Sequence, residues 1–259
     1  MLKRTVQLDK PIAAHRYEVS FARSLKEVRE AQRLRYAVFA EEMGARLVGP
    51  EPGVDEDRFD AFCEHLLVRD ARTGEVVGTY RVLAPPAVRA AGGYYSDQEF
   101  DLSRLAHLAP LMVEVGRSCI HPDYRAGTVI SLLWGALCEY MASRSYEYLI
   151  GCASISIADG GYAASTIYRE LAVRHLAPPE YRVVPRCRLP IKDLHSDARG
   201  ELPPLVKGYL RLGGYVCGDP AWDPDFHSAD LFVLVPMSRV NHRYLRHYLR
   251  LARALADAV

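Results

Sequence analysis

The stretch MVEVGRSCIHPDYRAGTVISLLWGALCEYM, residues 112–141, decides the fold of this chain. Its first part, residues 112–120, is an apolar run interrupted by Glu114 and Arg117, and such a run predicts a central strand. A loop with one glycine follows over residues 121–127, and apolar residues then recur at helical spacing to the end of the stretch. The other segments are arranged around this strand, loop and helix.

The flanking segments extend this unit into an α/β sheet. The sequence predicts strands over residues 17–22, 65–70, 76–83, 148–154 and 231–236, and helices over residues 24–44, 163–171 and 238–259. Ser24 and Glu27 form a capping-box pattern at the start of the first helix. Helices interleaved with strands are typical of a sheet covered by helices. We expect one domain over residues 1–259, with a core of about residues 17–200 and a C-terminal extension of about residues 201–259.

Charge and cysteine content exclude several classes of protein. The chain has 33 Lys+Arg and 32 Asp+Glu, whereas a nucleic-acid-binding protein usually carries a basic surplus, so we expect no nucleic-acid partner. None of the six cysteines lies in a C-x-x-C pair, and we expect no metal. The sequence has neither a secretory leader nor an apolar stretch of the ~20 residues that span a membrane. We therefore expect a cytoplasmic protein.

The acidic run DEDRFD, residues 55–60, carries Asp55, Asp57 and Asp60. Acidic runs are commonly solvated loops. Here two phenylalanines lie among or beside the charges and an apolar strand follows at once, which should hold the carboxylates near the sheet. A calcium-binding loop is a further alternative, but the twelve-residue pattern with its glycine and terminal glutamate is absent.

Glu114 and Arg117 are a charged pair inside an otherwise apolar strand, which is costly unless the charges are paired or functional. Strict alternation would place them on opposite faces of the sheet. A bulge near Gly116 would bring them to one side, and bulges are frequent next to active sites. The pair either forms structural ion pairs with the acidic run or Arg81, or takes part in catalysis, and the two roles are compatible.

Several segments resemble known acyltransferases. RYAVF over residues 35–39, followed by the acidic run and E-x-x-R over residues 114–117, resembles the acyl-homoserine-lactone synthases, which have a GNAT-like fold. The sequence resembles the ornithine N-acyltransferases more closely, through residues 57–68, 121–125, 151–154, 207–213 and 220–226. These segments cover the chain from about residue 17 to about residue 244.

The resemblance implies a GNAT-like α/β fold, with a central mixed sheet, and a specific reaction. The implied enzyme joins a 3-hydroxyacyl chain, carried by acyl carrier protein on 4′-phosphopantetheine, to the α-amine of ornithine. The product would be lyso-ornithine lipid, and no bound cofactor would be required. Other acceptors, such as glycine, glutamine, tyrosine or a lactone-forming substrate, remain alternatives. So does a non-catalytic module that binds acyl carrier protein or membranes.

The resemblance and the residue chemistry together nominate a site. The candidate catalytic residues are Glu114, Arg117 and Asp57. Glu114 would deprotonate the amine directly or through water, and a backbone N–H near Gly116 or Arg117 would bind the oxyanion. The candidate substrate-binding residues are Arg35, Phe39, Asp55, Asp60 and Arg81. The three aspartates would either bind the cationic acceptor or brace the pocket by pairing with arginines.

The loop before the second helix carries the candidate donor-binding residues, Arg125, Gly127 and Thr128. Backbone N–H groups at the start of a helix favour phosphate. Relatives that use acetyl-CoA have the loop R/Q-x-x-G-x-G/A, whereas here the glycine is displaced and Ile130 ends the loop. We therefore expect a poor grip on the pyrophosphate of CoA and a preference for the single phosphodiester of phosphopantetheine.

The last predicted helix is basic and amphipathic. Between Arg239 and Arg253 it carries five arginines and no acidic residue, and apolar residues recur along it at helical spacing. Such a helix ordinarily packs its apolar stripe on the domain. It can also dock on an acidic carrier protein or on the anionic inner face of the membrane, and we expect a peripheral role of this kind.

Overall fold

The computed structural model describes residues 16–47, 49–194 and 200–240. Within these ranges the strands are β1 Tyr17–Phe21, β2 Glu64–Asp70, β3 Val76–Leu83, β4 Phe100–Asp101, β5 Met112–Ile120, β6 Tyr148–Ser156, β7 Val184–Pro185, β8 Tyr215–Val216, β9 Ala221–Asp223 and β10 Ser228–Pro236. The α-helices are α1 Leu25–Tyr36, α2 Pro85–Val88, α3 Thr128–Ser143, α4 Tyr162–Arg174 and α5 Pro204–Arg211. A π-helical turn, Ala37–Glu42, continues α1, and 3-10 turns occupy Asp60–Phe62, Tyr95–Gln98, Ser103–Leu111, Pro122–Tyr124, Pro179–Tyr181 and Met237–Arg239.

The strands form one mixed sheet in the order β1-β2-β3-β5-β6-β10-β8, and β9 pairs with β10. Neighbouring strands are antiparallel except β5 and β6, which are parallel and joined through α3. The two-residue strands β4 and β7 pair separately. The predicted α/β class is confirmed, and β5 has the predicted bounds, residues 112–120.

The predicted capping box at the first helix forms in part, because Glu27 reaches back to the N–H of Arg23 instead of that of Ser24. Ser24 Oγ accepts a hydrogen bond from the Glu27 backbone N–H at 3.3 Å, and the Glu27 carboxylate accepts one from the Arg23 N–H at 2.6 Å. The helical run ends at Gly44, whose φ of 75° suits a residue without a Cβ. These contacts orient α1, which packs on β3 and β5 and presents Arg35 to the acidic run.

β5 and β6 diverge soon after their pairing begins. Their parallel ladder joins residues 112–114 to residues 148–150 and goes no further. Gly151 lies at the branch point, where an added Cβ would be 2.4 Å from the Val115 carbonyl oxygen. A glycine is required there because a side chain would collide with backbone. Beyond this point lies a wedge-shaped gap, here called the cleft.

β5 also contains a bulge beside the cleft. Its register with β3 pairs Arg81 with Gly116 but Thr79 with Cys119, so β5 carries one more residue than β3 in this interval. Arg117 lies in this interval and has a φ of 49°, which is uncommon for a residue with a side chain. The bulge predicted near Gly116 is confirmed.

Two apolar clusters cover the two faces of the sheet. On one face, α3, α4 and α5 pack against residues such as Val113 and Leu231. On the other face, Ile150 and Phe232 belong to a cluster that includes Phe100 and Leu105. Glu114 follows Val113 in β5 and so points to this second face.

The residues predicted as a C-terminal extension contribute to the main sheet. β10 begins at Ser228, three residues earlier than predicted, and pairs with β6 along its nine-residue length. It is buried throughout, so its continuous apolar run has no alternation to mark its start. The predicted final helix falls largely on residues 241–259, which lie outside the described residues; the preceding Met237–Arg239 forms a 3-10 turn. No helix among the described residues has both the length and the apolar character to cross a membrane.

Candidate active site

A cavity of about 1250 Å³ occupies the cleft and reaches both faces of the sheet. Trp134 and Tyr209 line it on the side of α3 and α5, whereas Phe59 and Tyr95 line it on the side of the acidic run. Glu114 and Arg117 both line this cavity, as do Phe39 and Arg81. The aromatic and apolar wall can accommodate a fatty chain, and the polar groups lie where the strands diverge.

Arg35 is the centre of the ion-pair network around the acidic run. Its side chain has no exposed surface and donates to Asp55 Oδ2 at 2.7 Å and to Asp60 Oδ1 at 2.6 Å. Burial alone would raise the pKa of Asp60, but the hydrogen bonds and charge of Arg35 outweigh it and hold that pKa well below its ordinary value. Asp60 is therefore ionised at neutral pH.

Arg81 and Arg117 complete the network. Arg81 donates to Asp57 Oδ1 at 2.6 Å, and Arg117 donates to Asp57 Oδ2 at 3.3 Å. Burial opposes ionisation of Asp57, but Arg81 and then Arg117 lower its pKa below the ordinary value. The Arg117 Nε also lies 3.1 Å from Asp55 Oδ2 without the alignment of a hydrogen bond, so this contact is electrostatic. Three guanidinium groups thus face three carboxylates, which are fully compensated.

Phe39, a predicted substrate-binding residue, contacts this network indirectly. Its ring packs edge-on against Phe226 at 5.9 Å between centroids, and Phe226 lies under the Arg117 guanidinium at 4.7 Å. Tyr95 lies near the same guanidinium, 5.1 Å from ring centroid to Arg117 Cζ. The two rings hold Arg117 at the edge of the cavity by cation–π contact.

Glu114 is buried and accepts three hydrogen bonds. Its carboxylate receives the Tyr95 N–H at 2.6 Å, the Ser96 N–H at 2.8 Å and the Ser96 hydroxyl at 2.5 Å. Burial raises the pKa of Glu114 above its ordinary value, although the Ser96 contacts lower it in part. A carboxylate with a raised pKa that lines the cavity can accept a proton from an amine, and it also anchors the turn that carries Tyr95.

The predicted donor residues lie at the start of α3. Gly127 is the N-cap residue with a φ of 98°, and Thr128 begins the helix. Gly127, Ile130 and Arg125 line the cavity. The Arg125 guanidinium forms a bidentate pair with Glu42 at 2.6 and 2.7 Å and also donates to a backbone carbonyl, so its charge is directed at Glu42.

Cys152 is placed beside the catalytic candidates, where Ser96 Oγ lies 3.3 Å from its sulfur. Burial, and then the charge of Glu99, raise the pKa of the Cys152 thiol well above its ordinary value. A thiol that stays protonated is a poor nucleophile. The arrangement therefore favours direct attack on a thioester over a covalent acyl-cysteine step.

The sequence patterns missed an acidic cluster, defined here as Glu99, Asp223 and Asp230. Asp223 and Asp230 line the cavity, and the side-chain oxygens of Glu99 and Asp230 lie within 4.8 Å of each other and of the Cys152 sulfur. Glu99, Cys152 and Asp230 have the chemistry of metal ligands, whereas no metal was predicted. No helical or strand periodicity marks these residues, because Glu99 is far in the chain from Asp223 and Asp230, which lie on the paired strands β9 and β10.

The similarities to known proteins first define the class. Residues 34–135 match the family model for an acetyltransferase (GNAT) domain. The fold is similar to that of FeeM, an N-acyl amino acid synthase from uncultured soil microbes, with a TM-score of 0.52, 12% identity, and coverage of 86% of this chain and 91% of that one. These similarities define a GNAT-type acyltransferase fold, as predicted. The mixed sheet with a cleft between two parallel strands agrees with it.

Full-length relatives then identify the family. The chain is 35% identical over 250 residues to an L-ornithine N(alpha)-acyltransferase of Rhodobacter capsulatus, covering 90% of this chain and 95% of that protein. It is 36% identical over 253 residues to an L-ornithine N(alpha)-acyltransferase of Rhizobium meliloti, covering 89% of this chain and 83% of that protein. The chain belongs to the L-ornithine N(alpha)-acyltransferase family, which confirms the resemblance read from the sequence.

Proposed function

We propose that this protein transfers a 3-hydroxyacyl group from the thioester of acyl carrier protein to the α-amine of L-ornithine. The observation that carries the proposal is the cleft, where the buried carboxylate of Glu114 and the bulged backbone at Gly116 line one cavity. The relatives named as L-ornithine N(alpha)-acyltransferases support ornithine as the acceptor. The aromatic wall formed by Trp134 and Tyr209 supports a fatty chain as the donor group.

The reaction is a direct aminolysis. The α-amine loses a proton to Glu114, directly or through a water, and its nitrogen attacks the thioester carbonyl carbon. A backbone N–H at the bulge stabilises the oxyanion. The carbon–sulfur bond then breaks, and the phosphopantetheine thiolate leaves with the proton that Glu114 took up. The step needs no bound cofactor.

The acidic run has a bracing role in this proposal. Arg35, Arg81 and Arg117 compensate its three aspartates and Arg29 pairs with Glu56, so little negative charge remains for an acceptor ammonium. The network instead fixes Arg117 and, through Phe59 and Tyr95, the wall of the cavity. Asp57 is the most exposed of the three aspartates, with a side chain 23% exposed, but none of the three lines the cavity.

A carrier protein is the proposed donor because α3 offers little to a pyrophosphate. Gly127 is the last residue before the helix, and Ile130 lines the cavity where a second glycine would admit phosphate. Arg125 already pairs with Glu42. The reaction would take place in the cytoplasm, and the basic segment from Arg239 onward would bring the enzyme to the carrier or the inner membrane face.

The proposal is tested with purified protein, 3-hydroxyacyl carrier protein and separate amino acids. Thiol release is measured for each acceptor, and the matched acyl-CoA is tested in parallel. We expect release that depends on ornithine, with a higher kcat/KM for the carrier than for CoA. If thiol release depends on a different amino acid, that amino acid is the acceptor. Equal kcat/KM values for the carrier and CoA donors would contradict the argument from Ile130. If no acceptor causes thiol release, the protein is better explained as a binding module.

A further inference from the structure

The acidic cluster stands apart from the compensated acidic run. Asp230, on β10, is 4% exposed, and Asp223, on β9, is 9% exposed. Glu99 follows the 3-10 turn Tyr95–Gln98, and both of its carboxylate oxygens are buried without a hydrogen-bond partner. Among residues 16–47, 49–194 and 200–240, no lysine, arginine or histidine forms an ion pair with any member of the cluster.

Buried carboxyl groups without a counter-ion are costly. Burial, and then the neighbouring Asp230, raise the pKa of Glu99 to about 10. Burial also raises the pKa of Asp230, and Asp223 adds to the effect. The protein therefore keeps a group of buried acids beside its cavity, with Asp223 and Asp230 in the wall, and a cationic ligand would favour their ionised form.

The acidic cluster lies one side chain away from the proposed base. Ser96 Oγ bridges the two places, at 2.5 Å from Glu114 Oε1 and 3.3 Å from the Cys152 sulfur. Cys152 Sγ is in turn within 4.8 Å of Glu99 and Asp230. A small ligand can thus place one amine at Glu114 and a second at the acidic cluster.

We infer that the acidic cluster binds the side-chain ammonium group of the acceptor, and so selects a short diamino acid over a neutral amino acid of the same length. This inference rests on the proposed function, because it assumes that the amine at Glu114 is the one acylated. An ammonium group has three N–H donors, and carboxyl groups are acceptors that suit them. A divalent metal held by Glu99, Cys152 and Asp230 is the competing occupant, and the test below distinguishes it from the ammonium group.

The test compares ornithine with norvaline, which has the same carbon skeleton and no side-chain amine. Glu99→Gln and Asp230→Asn each remove an ionisable carboxyl group with little change of shape, and Asp223→Asn is a further variant. Glu180→Gln, at an exposed acid, is the matched control. We expect the ornithine-over-norvaline ratio of kcat/KM to fall at least tenfold in the cluster variants through the KM for ornithine. The KM for the acyl carrier should not change, nor should any value for the control.

A cluster variant that stays folded and keeps the wild-type ratio would overturn the inference. Calorimetric titration of ornithine without donor separates this result from failure of the proposed function. If Glu99→Gln or Asp230→Asn loses ornithine binding, the inference is supported even where no acyl transfer is detected. If both variants retain unchanged acyl transfer to ornithine, the proposed function is supported and the inference about the acidic cluster is overturned. Stoichiometric binding of Zn²⁺ or Mn²⁺, together with loss of wild-type activity in chelator, would assign the cluster to a metal and overturn the inference.

Discussion

At the scale of single residues, Arg35 is the charge on which the buried acidic run depends. Arg35→Met keeps much of the apolar stem but removes the closest guanidinium from buried Asp55 and Asp60, which keep only the longer contacts of Arg117 and Arg81. Breaking a buried pair in this way typically costs about 3–5 kcal/mol. We expect the free energy of unfolding, measured by urea denaturation, to fall by about that amount.

The matched control for Arg35 is Arg29, whose ion pairs with Glu51 and Glu56 are partly exposed. Arg29→Met should cost no more than about 1 kcal/mol, since exposed pairs contribute little. Equal losses for the two variants would show that the buried network is not the source of stability.

Glu114 has two roles to separate, proton acceptor and anchor of the turn at Tyr95 and Ser96. Glu114→Gln turns one acceptor oxygen into a donor that faces an N–H group, which costs about 1–3 kcal/mol. Loss of a general base lowers kcat by about 10²–10⁴-fold. We expect both effects, measured by thermal unfolding and by single-turnover acyl transfer.

Ser96→Ala is the control for Glu114, because it removes one hydrogen bond and keeps the carboxylate. We expect it to retain most of the activity, with a pH profile shifted to higher pH, because the Ser96 hydroxyl lowers the pKa of Glu114. A Glu114→Gln variant with normal turnover, or one that matches Ser96→Ala in activity, would leave Glu114 as an anchor alone.

Glu99 and Asp60 make the stability of the protein depend on pH in opposite directions, because the folded pKa is raised for Glu99 and lowered for Asp60. The folded Glu99 pKa of about 10 lies above the ordinary value of 4.5, so its contribution to stability is complete below pH 4.5 and is lost as pH rises toward 10. Glu99→Gln removes this loss. We expect the Tm of the variant to equal that of the wild type near pH 4.5 and to exceed it at pH 8–9. A Tm difference that does not grow with pH would contradict a buried, protonated Glu99.

At the scale of elements, the cleft depends on how closely β5 and β6 approach before they diverge. Gly151→Ala would place a Cβ 2.4 Å from the Val115 carbonyl oxygen, whereas a Cβ at Gly116 meets no atom within 4 Å. We expect Gly151→Ala to lower the Tm by several degrees and Gly116→Ala to leave it unchanged. Because Gly116 lines the cavity, its alanine variant should still lose activity. Equal stability of the two variants would contradict the close approach.

The elements also show what the sequence could predict. β5, its bulge and the capped first helix were predictable, because each is marked by residues that are close together in the chain. These are the charged pair within the apolar strand and the cap residues Ser24 and Glu27. The pairing of Arg35 with the acidic run was one of the two roles that the sequence left open for the aspartates. The acidic cluster was not predictable, because Glu99 and Asp230 are 131 positions apart and meet only when β10 lies beside β6.

At the scale of the whole molecule, β10 joins the C-terminal third of the chain to the site. It pairs with β6 along its length and carries Asp230 to the cavity, while β9 brings Asp223 to the same wall. The main sheet therefore extends past the core that the sequence predicted, and the compensated acidic run and the uncompensated acidic cluster lie on different walls of one cavity. The arginine-paired acidic run braces Arg117 and Tyr95, whereas the acidic cluster is the wall inferred to bind the acceptor cation.

The most direct test of this account is the structure of the product made from 3-hydroxyacyl carrier protein and ornithine. Mass spectrometry and two-dimensional NMR locate the new amide. The account predicts one amide on the α-nitrogen, with the side-chain amine free, because the acidic cluster would hold that amine away from Glu114. Acylation of the side-chain nitrogen, or a mixture of the two amides, would contradict it.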